Sequence, residues 1–433
     1  MPAQKSSTPT VLIRTLGCKV NRYDSERLAA DFVRYGFQAR LDRRDLERSP
    51  ELIVVNTCSV TRESDKKSRQ LIRRLVRDYP ESRLVVTGCG AELDVEQFQQ
   101  IPGVASICPI REQHSLAQQI ATKRAPESLP TGCHPQLRLG VGQKRTRVFI
   151  KVQEGCDLFC TYCSIPYSRG EPRSRPVHEI IEEIKHLVDC GFREIVLCGT
   201  RLGWYGRDLG TRLSELLRKT VDIPGLTRLR LSSLEPEDFD TEIIEAVASL
   251  AILCPHFHLP LQSGSDAILE KMGREYRRID YLQKIQFAYE TIPDLCISTD
   301  IMVGFPGETE EDFAESLSAV ERCGFSKVHS FPFSSRDRTP ASTMPHQISP
   351  PVRRERRQIL DRLALREAER NRSKFIGKRL PILTETIEDG HAVGLTPNYL
   401  RVRWPATEDD RPNTLREVLI EDVSGLSLSG RAE

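Results

Sequence analysis

Apolar positions in this chain fall into short runs that alternate with amphipathic stretches, and the alternation occurs twice. Between residues 11 and 108 the runs VLIRTL, ELIVVN, RLVVTG and VASIC are separated by stretches at 24–35, 62–78 and 92–100 whose apolar residues recur at helical spacing. Such alternation predicts a parallel sheet with crossover helices. Residues 111–145 lose the pattern and read as a helix followed by a linker. From Arg147 the alternation restarts, with candidate strands RVFIKV (147–152), EIVLCG (194–199), RLRLSSL (228–234), HFHLPL (256–261), CISTDIMVG (296–304) and KVHSFPF (327–333). Six β/α units predict a partial (βα)6 barrel rather than the full eightfold one. A strongly charged helix at 352–374 follows. The runs PILTETI, LRVRW and EVLIEDV, with turns at Gly390, Pro397 and Asn398, then predict a small C-terminal β-barrel. The fold class is α/β, with expected domains at 9–120, 146–375 and 376–433 and a linker at 121–145.

Composition narrows the setting. At 433 residues the chain exceeds one ordinary core. No apolar run approaches the ~20 residues of a membrane span, so no membrane partner is expected. MPAQKSSTPT leads into VLIRTLG without the apolar segment of a secretory signal, which points to the cytoplasm. Thirteen cysteines in such a chain suit metal ligation or redox chemistry better than disulfides. A net charge of +2 gives no overall nucleic-acid signal.

The sharpest motif is EGCDLFCTYCSIP, where Cys156, Cys160 and Cys163 form C-x3-C-x2-C directly after a candidate strand. Three thiolates on one loop can hold three irons of a [4Fe–4S] cube and leave the fourth open. The next cysteine, Cys190, is distant and at a helix end. A structural zinc site would call for paired C-x2-C halves and four ligands. With Tyr162 before the last cysteine, the pattern resembles the radical-SAM superfamily. That resemblance implies S-adenosylmethionine on the open iron, cleaved reductively to a 5′-deoxyadenosyl radical.

A second set is spread out. Cys18 follows VLIRTLG, Cys58 follows ELIVVNT and Cys89 follows RLVVTG, so each ends a candidate parallel strand. Those ends converge on one sheet edge, where ligands bind in open α/β folds. Three unrelated buried cysteines are the alternative. The words GCKVNRYDSE, NTCSVT and TGCGAEL resemble the N-terminal domain of the methylthiotransferase family of radical-SAM enzymes, which implies a second [4Fe–4S] cluster on these three thiols. Of the other cysteines, 108, 190, 198, 254, 296 and 323 read as core positions. Cys133–His134 is a lone ligand-type pair in the linker.

Strand-end positions of the central region offer Gly199, Thr200, Ser233, Glu235, Gln262, Ser263 and Phe305, with Asp300 on a strand before Gly304. As a set, with Tyr162, they resemble the family's S-adenosylmethionine pocket. Turn chemistry alone is the competing account of each.

For RNA, residues 352–374 carry nine Lys/Arg against four Asp/Glu, either an ion-paired solvated face or a phosphate surface. KKSRQLIRRLVR is a second basic stretch. The C-terminal segment resembles the TRAM β-barrel of tRNA-modifying enzymes. Residues 376–433 nevertheless hold seven Lys/Arg and ten Asp/Glu, so local contacts from Tyr399, Arg401, Arg403 and Trp404 would have to grip RNA. Arg336 lies in the loop expected at the barrel mouth.

The resemblance implies methylthiolation of an adenosine beside the tRNA anticodon. Its partners would be tRNA, an electron donor such as flavodoxin or ferredoxin, and a sulfur source. GCKVN, SSLEPEDF, FSSRDRTPAS and GLTPNYLRVRW resemble the branch acting on threonylcarbamoyladenosine at position 37. Asp337–Arg338 and TGCGAEL depart from the family's usual words. Isopentenyladenosine, a ribosomal-protein aspartate, another radical-SAM reaction and a non-catalytic iron–sulfur RNA-binding protein are the alternatives.

Overall fold

The computed structural model describes residues 8–43, 46, 48–59, 61–124 and 146–432. The expected linker lies outside the described residues from 125 onward, as does the Cys133–His134 pair. A helix, Leu116–Arg124, occupies the linker's first residues. The chain forms two compact units, Met1–Gly142 with Cys163–Glu171, and Gln143–Tyr162 with Pro172–Glu433.

The first unit is a five-stranded parallel sheet ordered Gln38–Arg40, Thr10–Thr15, Leu52–Thr57, Arg83–Gly88, Val104–Ile107. Both faces are covered, which is why its central strands read as unbroken apolar runs. Val11, Ile13, Val54 and Val85 pack with Leu28 and Phe32 on one face. Leu12, Ile53, Val55 and Val86 pack with Ile72, Leu75 and Phe98 on the other. The edge strand Gln38–Arg40 has one apolar residue and left no pattern to read. The first helix starts at Lys19, ahead of the expected 24, with Cys18 at its N-cap.

The second unit holds six parallel strands in chain order: Arg147–Lys151, Glu194–Cys198, Arg228–Leu231, His256–His258, Cys296–Val303 and Lys327–Pro332. They form two three-stranded ladders joined by bridges Leu229↔Leu253 and Ser233↔His258. Each lies within a run the sequence had marked. The charged helix, Pro350–Ser373, carries an exposed face with ion pairs Arg357–Asp361, Arg366–Glu321 and Arg370–Glu367, as one of its two expected readings had it, while three of its arginines turn inward. Arg353 donates to Phe333 O at 2.6 Å, Arg356 to Glu308 Oε2 at 2.6 Å and Arg372 to Ser326 O at 2.7 Å. These arginines strap the helix onto the last strands.

Strands Arg379–Glu388, His391–Leu395, Arg401–Pro405, Leu415–Ser424 and Ser427–Ala432 close into a barrel. Its core includes Trp404, Val402, Ile382 and Val418, together with Phe375 and Cys296 from outside the barrel. Trp404 is fully buried, its Nε1 donating to Asp410 at 3.3 Å, so it is a core residue and not an RNA contact.

The barrel sits on the starts of the parallel strands. Arg228 donates to Leu395 O at 2.9 Å and Pro381 O at 2.7 Å, and Arg230 to Pro397 O at 2.8 Å. The Arg230 guanidinium lies 4.6 Å from the Tyr399 ring centre, with Arg147 at 5.3 Å and the His256 ring at 4.8 Å. Tyr399, expected to contact RNA, packs in this seam and still exposes about a third of its surface. Glu194, fully buried, pairs with Arg230 at 2.7 Å.

Burial opposes the Glu194 charge, but Arg230, then Arg147 and Arg228, outweigh it and hold the carboxyl below its ordinary value. A depressed folded value contributes stability above the unfolded value of about 4.3, lost as pH falls through the folded value. Arg230→Met should therefore destabilise the protein by about 3–5 kcal/mol in urea unfolding at neutral pH, and Glu194→Leu with Arg230→Met by clearly less. Both variants should lose stability less steeply than the parent on acidification below about pH 4.

Candidate active site

In the first unit the three cysteines share one sheet edge. Cys18, Cys58 and Cys89 directly follow or closely trail three adjacent strands, and Cys89 opens the short helix Cys89–Leu93. Two glycines let the backbone come this close. Gly17 has φ +104°, and a Cβ there would stand 2.8 Å from Cys58 Sγ. Gly88 has φ +95°, and a Cβ there would strike Asn56 and the Thr57 backbone.

Asn21, one turn into its helix, ties the three loops together. Its Nδ2 donates to Leu16 O at 2.9 Å and Thr57 O at 2.8 Å, and the Cys89 thiol points at its Oδ1 at 3.7 Å. Arg169 comes from the helix Ile165–Arg169, within the stretch 163–171 that folds with this unit, and donates from Nε to Cys89 Sγ at 3.2 Å. Sequence reasoning missed both residues. Asn21 stands a helical turn after Cys18 and could have been suspected; Arg169 carries no local signal linking it to Cys89.

In the second unit the loop bearing Cys156 and Cys160 is pinned at several points. Thr161 N donates to Met272 O at 2.9 Å, Thr161 Oγ1 to Lys271 O at 2.9 Å, and Thr200 Oγ1 to Gly155 O at 2.6 Å. Arg274, also missed from sequence, donates to Cys160 Sγ at 3.3 Å and to Glu237 at 2.8 Å, and pairs with Glu235. Burial pushes the Cys156 thiol up to about 11, and burial likewise raises Cys160 and Cys89. Thiols that resist ionisation alone become thiolates when a metal supplies the charge. Sulfur donors on pinned loops, each set with a guanidinium on one sulfur, fit an iron–sulfur cluster. Among the described residues no three His, Cys, Asp or Glu side chains are arranged for a single metal ion. The ligands of a cube bind separate irons and need no common point.

The remaining expected pocket residues divide. Ser233 and Gln262 sit at isolated strand bridges, Asp300 on a strand and Glu235 in the loop after one, with Gln262 N donating to Asp300 O at 2.9 Å. His258, overlooked from sequence, reaches Asp300 Oδ2 at 3.3 Å and lies 5.9 Å, ring to ring, from His329. Gly199 and Thr200 face Gln153 and Gly155 and shape the cysteine loop. Ser263 is fully buried against Ser316, and Phe305 is fully buried beside Met272, Met302 and Phe333. Both are packing residues, and Tyr162 meets Phe305 edge-on at 6.5 Å. Arg336 is buried, its carbonyl accepting from Thr339. Arg401 and Arg403 point outward from the C-terminal barrel, alternating with buried Val402 and Trp404. Cys108, Cys198, Cys254, Cys296 and Cys323 are buried as expected, whereas Cys190 is exposed at a helix C-terminus.

Residues 150–320 match the Radical SAM superfamily model, and residues 10–108 match Uncharacterized protein family UPF0004. The chain is 36% identical over 415 residues to the threonylcarbamoyladenosine tRNA methylthiotransferase of Chlamydia pneumoniae, covering 96% of each, and 36% identical to that of Bacillus subtilis, covering 92% and 91%. It is also 35% identical to the tRNA-2-methylthio-N(6)-dimethylallyladenosine synthase of Pelotomaculum thermopropionicum, covering 87% of each. Among solved structures, the radical S-adenosylmethionine methyltransferase TsrM of Kitasatospora setae shares the fold, with a TM-score of 0.57 at 19% identity over 77% of each chain. Two three-cysteine sets on these scaffolds, with relatives of this closeness along nearly the whole chain, place the protein in the radical-SAM tRNA methylthiotransferase family of sulfur-transferring enzymes, whose radical chemistry uses S-adenosylmethionine and a [4Fe–4S] cluster.

Proposed function

We propose that this chain methylthiolates C2 of N6-threonylcarbamoyladenosine at position 37 of tRNA. It would use two S-adenosylmethionines and two [4Fe–4S] clusters, one on Cys156, Cys160 and Cys163 and the other on Cys18, Cys58 and Cys89. The observation that carries the reading is the second set: three cysteines on one sheet edge, gathered around Asn21. When bound, the clusters and S-adenosylmethionine supply a radical able to break an unactivated C–H bond and a sulfur to place on carbon, chemistry no side chain offers.

The chain's own residues hold and orient. Arg274, braced by Glu235 and Glu237, fixes Cys160, while Thr161 and Thr200 keep the loop in place. Tyr162, Gln262 and Asp300 would line the S-adenosylmethionine pocket. Phe257 packs against Phe239, so His256 and His258 fall on the opposite face of their strand. With Asp300 and His329, His258 makes that face polar. A polar N6 substituent carrying a carboxylate, a hydroxyl and a urea suits it better than an isopentenyl chain. Arg401 and Arg403 offer cations to RNA phosphates. A one-electron donor such as flavodoxin or ferredoxin and a sulfur source complete the set of partners.

Anaerobically reconstituted protein with S-adenosylmethionine and reductant should add a methylthio group to threonylcarbamoyladenosine in tRNA, read by nucleoside mass spectrometry. Modification of isopentenyladenosine alone would overturn the branch. Cys58→Ala and Cys160→Ala should each abolish product. In the iron-free protein a thiol-alkylating reagent should label exposed Cys18 and Cys190. Loading with iron and sulfide should protect Cys18 and leave Cys190 reactive; equal labelling of Cys18 in fully loaded protein would sink the N-terminal cluster.

Deleting the C-terminal barrel is a poor test of RNA binding, because it strips the cover from Arg228, Arg230 and Cys296. Arg401→Glu with Arg403→Glu keeps that seam. It should weaken tRNA binding about tenfold or more and flatten its salt dependence, leaving the melting curve unchanged.

A further inference from the structure

Arg169 is the most deeply buried cation beside either cysteine set, with 1% of its side chain exposed. Its Nε donates to Cys89 Sγ at 3.2 Å. Its Nη2 donates to Asp24 Oδ2 at 2.9 Å and Asn21 Oδ1 at 2.5 Å, and Asp24 is itself 5% exposed. Asn21 in turn holds the carbonyls of Leu16 and Thr57, which precede the other two cysteines of the set. One guanidinium therefore reaches a ligand sulfur directly and the other two ligand loops through a single amide.

Placing an ion pair where water cannot reach is costly, and hydrophobic packing would hold a helix here equally well. A neutral thiol is a weak hydrogen-bond acceptor, but a metal-bound thiolate accepts a charge-assisted bond. The arrangement suits a cysteine that becomes an anionic ligand.

Resting on the second cluster proposed above, we propose that Arg169 is the positioning residue of that cluster, fixing the orientation of Cys89 and raising the cluster's reduction potential. Reduction by one electron adds a negative charge to the cluster. A fixed cation bonded to a ligand sulfur favours that added charge, as hydrogen bonds to cluster sulfurs do in general. Asp24 partly offsets the cation and holds it in place. A merely structural Arg169 would affect folding and leave the potential alone.

The test uses the full-length chain with Cys156, Cys160 and Cys163 changed to alanine, so that one cluster remains, titrated anaerobically while its absorption and its paramagnetic resonance spectrum are followed. Arg169→Met should hold iron, titrate at a more negative midpoint and change the spectrum of the reduced cluster. Arg169→Lys, which keeps the charge but not the fork, should recover part of both. Asp24→Asn, removing the offsetting charge, should shift the midpoint the opposite way. Iron-loaded Arg169→Met with an unmoved midpoint and spectrum would overturn the proposal. If Arg169→Met takes up no iron, Asp24→Asn decides: a positive shift supports the proposal, while an unmoved or negative shift overturns it. A parent lacking iron would refute the second cluster itself, a different failure from a loaded cluster whose potential does not respond.

Discussion

A parallel sheet delivers its loops at one edge, and the chemistry proposed here depends on that constraint. Cys18, Cys58 and Cys89 are separated by gaps of 40 and 31 residues, yet their strands are sheet neighbours, so the fold gathers them without any sequence proximity. The six-stranded unit obeys the same rule, with the loop bearing Cys156 and Cys160 leaving from just beyond its first strand. The opposite ends of these strands are sealed by the C-terminal barrel through Arg228, Arg230 and Tyr399. One end of the sheet is thus free for chemistry because the other is closed by packing.

Arginine does the fastening throughout, for a physical reason. Its planar fork donates in several directions at once, so one side chain can bridge carbonyls, carboxylates and sulfur that a lysine would reach singly. Arg230 joins a buried carboxylate, a carbonyl and a tyrosine ring; Arg356 joins Glu308 and Glu310; Arg274 joins a thiol and two carboxylates. These uses are internal, so three of the nine positive residues along 352–374 add nothing to its outer surface, and several of the rest are paired with surface carboxylates. The same count treats Arg353, Arg356 and Arg372 as surface when each is directed at the protein's own backbone or carboxylates.

Most of the fold was legible from sequence because apolar periodicity is local. The six parallel strands of the second unit and four of the five in the first lie at marked runs; Gln38–Arg40, the short pair Gln153–Glu154 and Arg173–Ser174, and the barrel strands His391–Leu395 and Ser427–Ala432 do not. The cysteine sets were legible for two different reasons, one from tight spacing and the other from strand-end position. Much of what surrounds them was not. Arg169 and Cys89 are 80 residues apart, and no pattern in either neighbourhood points to the other. Trp404 showed the opposite failure: its residue type fits RNA contact, but it is fully buried in the barrel core, whereas Tyr399 stays partly exposed while its ring meets Arg230, Arg147 and His256.

The position of Arg169 gives this long-range pairing a consequence. Cys163 and Arg169 both lie in one short segment, 163–171, that folds with the N-terminal sheet, where Ser59 Oγ lies 3.5 Å from Ser164 Oγ and Ser164 Oγ donates to Ser59 O at 3.4 Å. The residue after Cys58 is therefore in contact with the residue after Cys163. The last thiol of the radical motif and the guanidinium on Cys89 are tied by a helix of five residues, too short to flex internally without losing its hydrogen bonds. The last cysteine of the close-spaced motif thus folds with the N-terminal sheet, in the same segment as the guanidinium on Cys89.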